Sequence, residues 1–465
     1  MKKTYLFYDI ETTGLNPAFD QVLQFAAIRT DEELKEISRH EIFVRLRPDV
    51  LPAPHAIITH YLGINDMQKG DTEIEAIKKI HQLFNEPGTI TVGYNTLGFD
   101  DEFLRFSYYR NLLPPYTHQY ANQCSRMDIY PIIIFYYLFA PDTLKWPLKN
   151  EKLSLKLEEL IKTNNLIEGQ AHNAMVDVEA TLILARLLQK NKKIWDYCCN
   201  YFNKVNELDR LSEWKILNGD NIGLYIDPSL GIANNFLAPV LCLGQHRHYK
   251  NQFLFLRLDQ EQLQQTRLDN LTENTWVFRK KIAEPGFLLP ASDRYLAKLT
   301  AERIKTLEEN KKWIKDNPSI FQKIMHHYLD YKYPFVPEAD VDSALYQNGF
   351  LANEDEVRCR LFHQANVAEK IAMLDEFSSH ELQEMAQRLL GRYYYEQLPA
   401  ELQEEFASYL AMAITEKELD AQVDYRHERK LSKEKVRALI EEIRAGGNIN
   451  TKQAELLDQY EAWLR

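Results

Sequence analysis

Cysteine is scarce in this 465-residue chain: Cys124, Cys198, Cys199, Cys242 and Cys359 are the only five. The number is odd, no C-x-x-C occurs, and no His/Cys grouping has zinc spacing. A disulfide framework and a zinc finger are thereby excluded, and reduced thiols in a cytoplasmic protein are expected. Glycine (16) and proline (18) are also few, and no repeat or biased tract is visible, which excludes long disorder and solenoid architectures. There is no excess of positive charge. The net charge of −12 argues against non-specific coating of nucleic acid, while leaving room for a local basic channel. Long apolar runs are missing too. Residues 129–140 are apolar but short and contain Pro131, so they read as a buried helix rather than a membrane span. Lys2 and Lys3 precede an apolar stretch that Asp9 and Glu11 interrupt, with no cleavage site after it, which does not fit a signal peptide.

What is present is ordinary globular material, 45% hydrophobic and 27% charged, long enough for two to four domains. Residues 1–191 alternate strand-like and helix-like patterns and predict an α/β domain. Strands are expected at 5–10, 22–30, 41–46 and 89–94, and helices at 73–84, 100–109, 153–161 and 174–188. Ile74, Ile77, Ile80 and Leu83 share one face of the first helix. Residues 192–351 carry short strand patterns at 222–227, 239–243, 252–258 and 275–279, punctuated by Gly, Asn and Asp. They predict a small β-rich barrel or sandwich, followed by helices at 302–315 and 319–327. Residues 352–465 are almost wholly helical in pattern, clearest at 401–413, 432–444 and 451–464, with Gly446-Gly447 as a break.

Carboxylates recur in a suggestive order. Asp9 and Glu11 stand two apart on the first predicted strand, so both side chains share a face. They repel unless a cation lies between them, and magnesium is held by a few carboxylates plus substrate phosphate. A solvated strand end would explain the pair alone. Gly14, after Thr12-Thr13, adds a place where backbone approaches a ligand closely. Asp100 and Asp101 stand at a helix entrance, where an aspartate ordinarily caps. Asp100, directly after Phe99 in the Y-N-x-x-x-F-D run, is the one expected to face a metal. Asp177 sits among Val176, Val178 and Ala180, a costly place for an unpartnered carboxylate. His172, five residues earlier, is a candidate to take a proton from water. Taken singly it reads as a surface-loop histidine, the reading that His55, His60, His81 and His118 also receive. Four acids from three segments, joined by this histidine, suggest phosphodiester hydrolysis with divalent metals.

This ordered set resembles the DEDD superfamily of 3′→5′ exonucleases, built on an RNase H-like fold. The H-x-x-x-x-D spacing of His172 and Asp177 resembles its DEDDh branch. The likeness extends to the exonuclease I family through Gln24-Phe25-Ala26-Ala27-Ile28-Arg29-Thr30-Asp31, Gly93-Tyr94-Asn95, Phe99-Asp100-Asp101-Glu102 and Tyr109-Arg110-Asn111. Ser125-Arg126-x-Asp128, Ala171-His172-x-Ala174-Met175-x-Asp177-Val178 and Val341-Asp342-x-x-Leu345-Tyr346-x-x-Gly349-Phe350 add to it. The resemblance spans nearly the whole chain. It implies an exonuclease domain over 1–191, an SH3-like β-rich domain with helical insertions over 192–351, and a helical C-terminal domain over 352–465. It assigns Asp9, Glu11, Asp100 and Asp177 to two Mg2+ ions, with Mn2+ as a substitute, and His172 to the general base. Two such ions activate a water and stabilise the leaving oxygen. The function implied is processive 3′→5′ degradation of single-stranded DNA to 5′-mononucleotides in DNA repair and recombination. The partner implied is a single-stranded-DNA-binding protein. The chain departs from the family pattern in having Asp9-Ile10-Glu11-Thr12-Thr13-Gly14 in place of D-Y-E-T-F-G. It also has Lys156 in place of a DNA-contacting arginine, which keeps the charge but loses the bidentate fork.

Residues 99–139 hold 12 aromatics, of which Phe103, Phe106, Phe135 and Phe139 are expected in the core. Tyr116 and Tyr120 differ: they flank polar loop residues after Pro114-Pro115, which suits sequence-indifferent base stacking. Arg105, Arg110, Arg126 and Lys156 are candidates for phosphate contacts, and Glu11, Arg105, Tyr116, Tyr120 and Lys156 form the expected DNA-binding set. The rival readings are a DEDDh enzyme acting on RNA 3′ ends or in polymerase proofreading, and a catalytically silent single-strand-binding scaffold. A monomer is expected.

Overall fold

The computed structural model describes residues 2–166, 173–217 and 222–465. Two compact units emerge. One comprises 2–125, 173–182 and 335–465, and the other comprises 126–166 and the described part of 183–334.

In the first unit, β1 (Thr4–Thr12), β2 (Val22–Thr30), β3 (Glu36–Phe43) and β4 (Thr89–Gly93) lie in the order β3-β2-β1-β4. β1 and β2, and β2 and β3, pair antiparallel, whereas β1 and β4 run parallel. Leu6, Tyr8 and Ile10 of β1 pack with Phe25 and Ala27 of β2, and with Ile77, Ile80 and Phe84 of the helix Glu73–Asn85. That helix presents the periodic face expected of it and begins with a Thr72/Glu75 capping box. The third strand falls at Glu36–Phe43, not at 41–46. Its ladder with β2, from Glu36↔Thr30 to Phe43↔Gln24, fixes its extent, and its alternating charged residues protect an edge. The apolar residues Val44 and Leu46, which suggested a strand, are buried beyond its end.

The C-terminal helices belong to the same unit. Lys433–Ala445 and Thr451–Trp463 place Val436, Ile440, Leu457 and Tyr460 against Leu23, Leu51, Ile57 and Ile64. The helix His380–Tyr394 contributes Leu382, Met385 and Leu389 to a cluster with Ala18, Phe106 and Tyr109. A side chain at Gly391 would collide with the Phe406 ring, so glycine is what lets that helix meet Ala400–Ala413. Residues 414–432 interrupt the helical region and carry the bridges Ala339↔Val423 and Val423↔Arg429.

β5 (Ser125–Asp128) begins on the last residue of the first unit. In the second unit, β6 (Leu148–Lys149) and β7 (Lys152–Leu153) form a small hairpin, so the helix expected from 153 starts only at Leu157. β8 (Ile222–Ile226), β9 (Leu237–Gln245), β10 (Gln252–Arg257), β11 (Val277–Lys281) and β12 (Phe287–Pro290) make an antiparallel sheet in the order β11-β10-β9-β8-β12. One face buries Tyr225, Val240, Phe255 and Leu288. The other buries Leu254 and Leu256 under Leu307 and Ile324 of the helices Ala301–Asp316 and Pro318–Leu329. β12 escaped prediction because it is four residues long and ends on a proline. Ile129–Phe139 is the buried helix expected, capped by Asp128, whose carboxylate accepts the Tyr130 N–H at 2.9 Å. Among the described residues no helix is long and apolar enough to cross a membrane.

Candidate active site

The end of β1 supplies the first two carboxylates. Tyr8 and Ile10 point into the core, whereas Asp9 and Glu11 alternate onto a half-buried face. Immediately after Glu11 the pairing with β2 slips by one residue, a bulge that ends the ladder beside the acids. The parallel strand β4 delivers the third segment. Asn95 turns the chain in the left-handed region, φ 64°, and the helix Asp100–Arg110 follows. Asp177 comes from the first turn of Ala174–Gln189.

Asp9, Glu11 and Asp177 each offer an oxygen, and these oxygens lie within 4.8 Å of one another. Burial, and then the charges of Asp100, Asp177 and Glu11, raise the Asp9 carboxyl well above its usual range. Glu11 is pushed up to about 7, first by burial and then by Asp177. The donor set is all carboxylate oxygen, and its members oppose one another's ionisation. A divalent cation removes that cost, and hard oxygen donors suit one.

The adjacent aspartates separate cleanly. Asp100 accepts the Ile10 N–H of β1 at 3.2 Å, and its charge reaches Asp9. Asp101, with no exposed surface, pairs with Arg105 at 2.5 Å and with His118 Nε2 at 3.0 Å. The capping expected of one of them does not occur: Phe99 occupies the N-cap, with no side-chain cap bond.

Other expected residues are distributed as follows. Arg105 is 3% exposed and is paired with Asp101 and Glu102, with Tyr346 Oη at 3.1 Å. Its guanidinium carbon lies 5.8 Å from the centroid of the half-buried Tyr116 ring, which packs on Phe350. Tyr120 is 62% exposed. Arg110 does not face solvent. It is wholly buried, donating to Ala18 O, Asp20 O and Ser107 Oγ and pairing with Glu73, because the close packing of its helix directs it into the interior. Arg126 pairs with Glu284 at 3.0 Å in the second unit. Lys156, also in that unit, stands at the N-cap of Leu157–Asn164. His172 lies outside the described residues.

Sequence reasoning missed His118. A surface-loop reading is overturned by its full burial against Phe84, Tyr108 and Asp101. Its partner is 17 positions away, and no local pattern announces such a pair. The same holds for a cavity of about 540 Å³ beside Glu11, lined among others by Thr12, Leu15, His55, Asn16 and Lys430. Its C-terminal wall comes from residues 428–431.

Residues 6–185 match the family described as Exonuclease, and residues 339–465 match the Exonuclease I C-terminal domain. Exodeoxyribonuclease I of Escherichia coli (strain K12) is 30% identical over 385 residues, covering 77% of this chain and 79% of that protein. The chain belongs to the exodeoxyribonuclease I family. A structure of E. coli exonuclease I in complex with a dA16 oligonucleotide superposes with a TM-score of 0.85 at 24% identity, over 99% of each chain. A structure of SSB/exonuclease I in complex with an inhibitor gives 0.85 at 23% identity, over 100% of this chain and 99% of that one. The exodeoxyribonuclease I fold thus extends over the full length: a mixed-sheet exonuclease domain, a β-rich sheet and a helical C-terminal region. Members of this exonuclease family use divalent metal ions, and the acidic cluster described above has the donors for them.

Proposed function

We propose that this exodeoxyribonuclease I family member hydrolyses single-stranded DNA from its 3′ end, releasing 5′-mononucleotides processively, with two Mg2+ ions. The observation that carries the reading is the convergence of Asp9, Glu11 and Asp177, with Asp100 bearing on Asp9. Divalent cations held there would supply polarisation of the scissile phosphate and of the attacking water. Asp9, Glu11, Asp100 and Asp177 would hold them. Asp9 is the carboxylate whose ionisation all three others oppose, so a bound cation would relieve the most repulsion there. His172 takes the proton of the attacking water, a role resting on its spacing from Asp177. Glu11 borders the cavity, where it also meets the terminal nucleotide.

Tyr116 and Tyr120 offer rings for base stacking, worth about 1–3 kcal/mol per base. Arg105 enters as the cation behind the Tyr116 ring, its charge already matched by Asp101 and Glu102. Lys156 supplies a phosphate contact. The structure of SSB/exonuclease I supports a single-stranded-DNA-binding protein as partner. The setting is cytoplasmic DNA repair and recombination.

The test offers free-ended and 3′-blocked single strands, duplex DNA and RNA, with Mg2+ or chelator. Free-ended single-stranded DNA alone should be degraded, and only with the cation. Equal digestion of blocked ends would refute the polarity, and a preference for RNA would refute the substrate.

A further inference from the structure

His118 sits on a single turn of 3-10 helix, Thr117–Gln119, between Tyr116 and Tyr120. Its ring is boxed by Phe84 and Tyr108, each with a centroid 5.7 Å away, and its Nε2 donates to Asp101 at 3.0 Å. Asp101 follows Asp100 on the same helical turn, so whatever holds Asp101 also sets the turn that aims Asp100 at β1. Arg105 closes the arrangement from one turn further along the helix, binding Asp101 at 2.5 Å while lying behind the Tyr116 ring. The tyrosine-bearing loop and the carboxylate that bears on Asp9 are thus joined through two charged side chains, both buried.

We infer that His118 is a positioning residue that, through Asp101, couples the 114–123 loop to the setting of Asp100 in the metal site. The inference rests on the reading of Asp100 as a cation ligand. Hydrogen bonds that orient a ligand typically matter 10–100-fold for metal affinity or activity, and the His118 bond acts one residue removed, through the helical turn that Asp101 shares with Asp100. His118 touches neither substrate nor cation. Its effect therefore falls on cation affinity and kcat, whereas a change in the tyrosines themselves falls on DNA binding.

The test uses the full-length protein. His118→Phe keeps an aromatic ring in the box and removes the hydrogen bond, and His118→Gln returns an N–H near the Nε2 position. Mg2+ binding is measured by calorimetry without DNA, oligonucleotide binding by anisotropy in chelator, and kcat and KM on single-stranded DNA alongside thermal unfolding. His118→Phe should weaken Mg2+ binding about tenfold and lower kcat by a similar factor. KM and chelator-stage DNA binding should stay near wild type, and His118→Gln should recover most of the loss. A folded His118→Phe with wild-type Mg2+ affinity and kcat overturns the inference alone. So do losses in both variants that merely track a lowered melting temperature. Wild-type protein that binds no divalent cation overturns the reading of the site and this inference with it.

Discussion

The Asp9 carboxylate lies where burial and three like charges all oppose its ionisation. A group whose folded pKa is raised contributes stability below its unfolded pKa and loses it as pH rises through the folded value. For Glu11 that window runs from 4.5 to about 7. Metal-free protein should therefore lose on the order of 3 kcal/mol through Glu11 as pH rises across it. Asp9→Asn removes one repelling charge. In chelator this variant should be at least as stable as wild type to urea at pH 7. Wild type should gain stability on Mg2+ addition with the logarithm of 1 + [Mg2+]/Kd, and the variant should gain little and cleave nothing. A variant equally destabilised with and without Mg2+ would refute the assignment of Asp9 to the cation. The residues in question were legible from type and spacing, because a strand alternates faces over a span of three positions. Asp100 and Asp101 were not separable that way. Their difference lies in partners 90 positions away at Ile10 and 17 away at His118.

Two elements converge on the start of the tyrosine loop. His81, in Glu73–Asn85, donates to Pro114 O at 3.0 Å, and His363, in Asn353–Gln364, donates to Leu112 O at 3.3 Å. Burial, the largest cause in each, brings both imidazoles down to about 4. The unfolded chain then binds more protons than the folded one between pH 6.5 and 4. Their stabilising contribution is full above pH 6.5 and is lost as pH falls through that window. From pH 6.5 to 5 the loss should be on the order of 2 kcal/mol per histidine. Urea unfolding in saturating Mg2+, which suppresses the opposing carboxylate effect, measures it. A His81→Gln/His363→Gln protein should show a flatter profile, and an unchanged slope would assign the effect elsewhere. Elements with a strong apolar period, such as Glu73–Asn85 and Val22–Thr30, were readable nearly residue for residue. β3 and the start of Leu157–Asn164 were displaced because strand pairing, rather than local pattern, set their limits.

Across the first unit, buried ion pairs tie residues 47–73 to residues 340–409. Arg47 pairs with Asp49 and Glu73, each at 3.1 Å, and Arg392 pairs with Asp49 at 2.8 Å and also with Asp342. Tyr409 donates to Asp49 at 2.7 Å, and Arg388 joins Asp340 and Asp342. These arginines hold the Asp49 and Asp342 carboxyls well below the usual range against the opposing effect of burial. Removing one member strands charges in a dry interior. Arg392→Met should cost about 3–5 kcal/mol in urea unfolding. The folded fraction should still cleave DNA, since Arg392 lies outside the carboxylate cluster. A loss below 1 kcal/mol would show that water reaches these groups and that the helical region is not fastened through them.

The order of the acids, the α/β, β-rich and helical textures and the family pattern can be read directly from the chain. These depend on residue type at short spacing, where chain geometry is nearly invariant. Three-dimensional packing was needed to show which neighbouring aspartate faces Asp9, that Arg110 is buried, and that His118 is a core hydrogen-bond partner of Asp101. It also decided that the C-terminal helices share a core and a charge network with the N-terminal sheet. Those outcomes are set by contacts between residues tens to hundreds of positions apart. Burial there decides which charges must be paired, and a linear pattern carries no record of it.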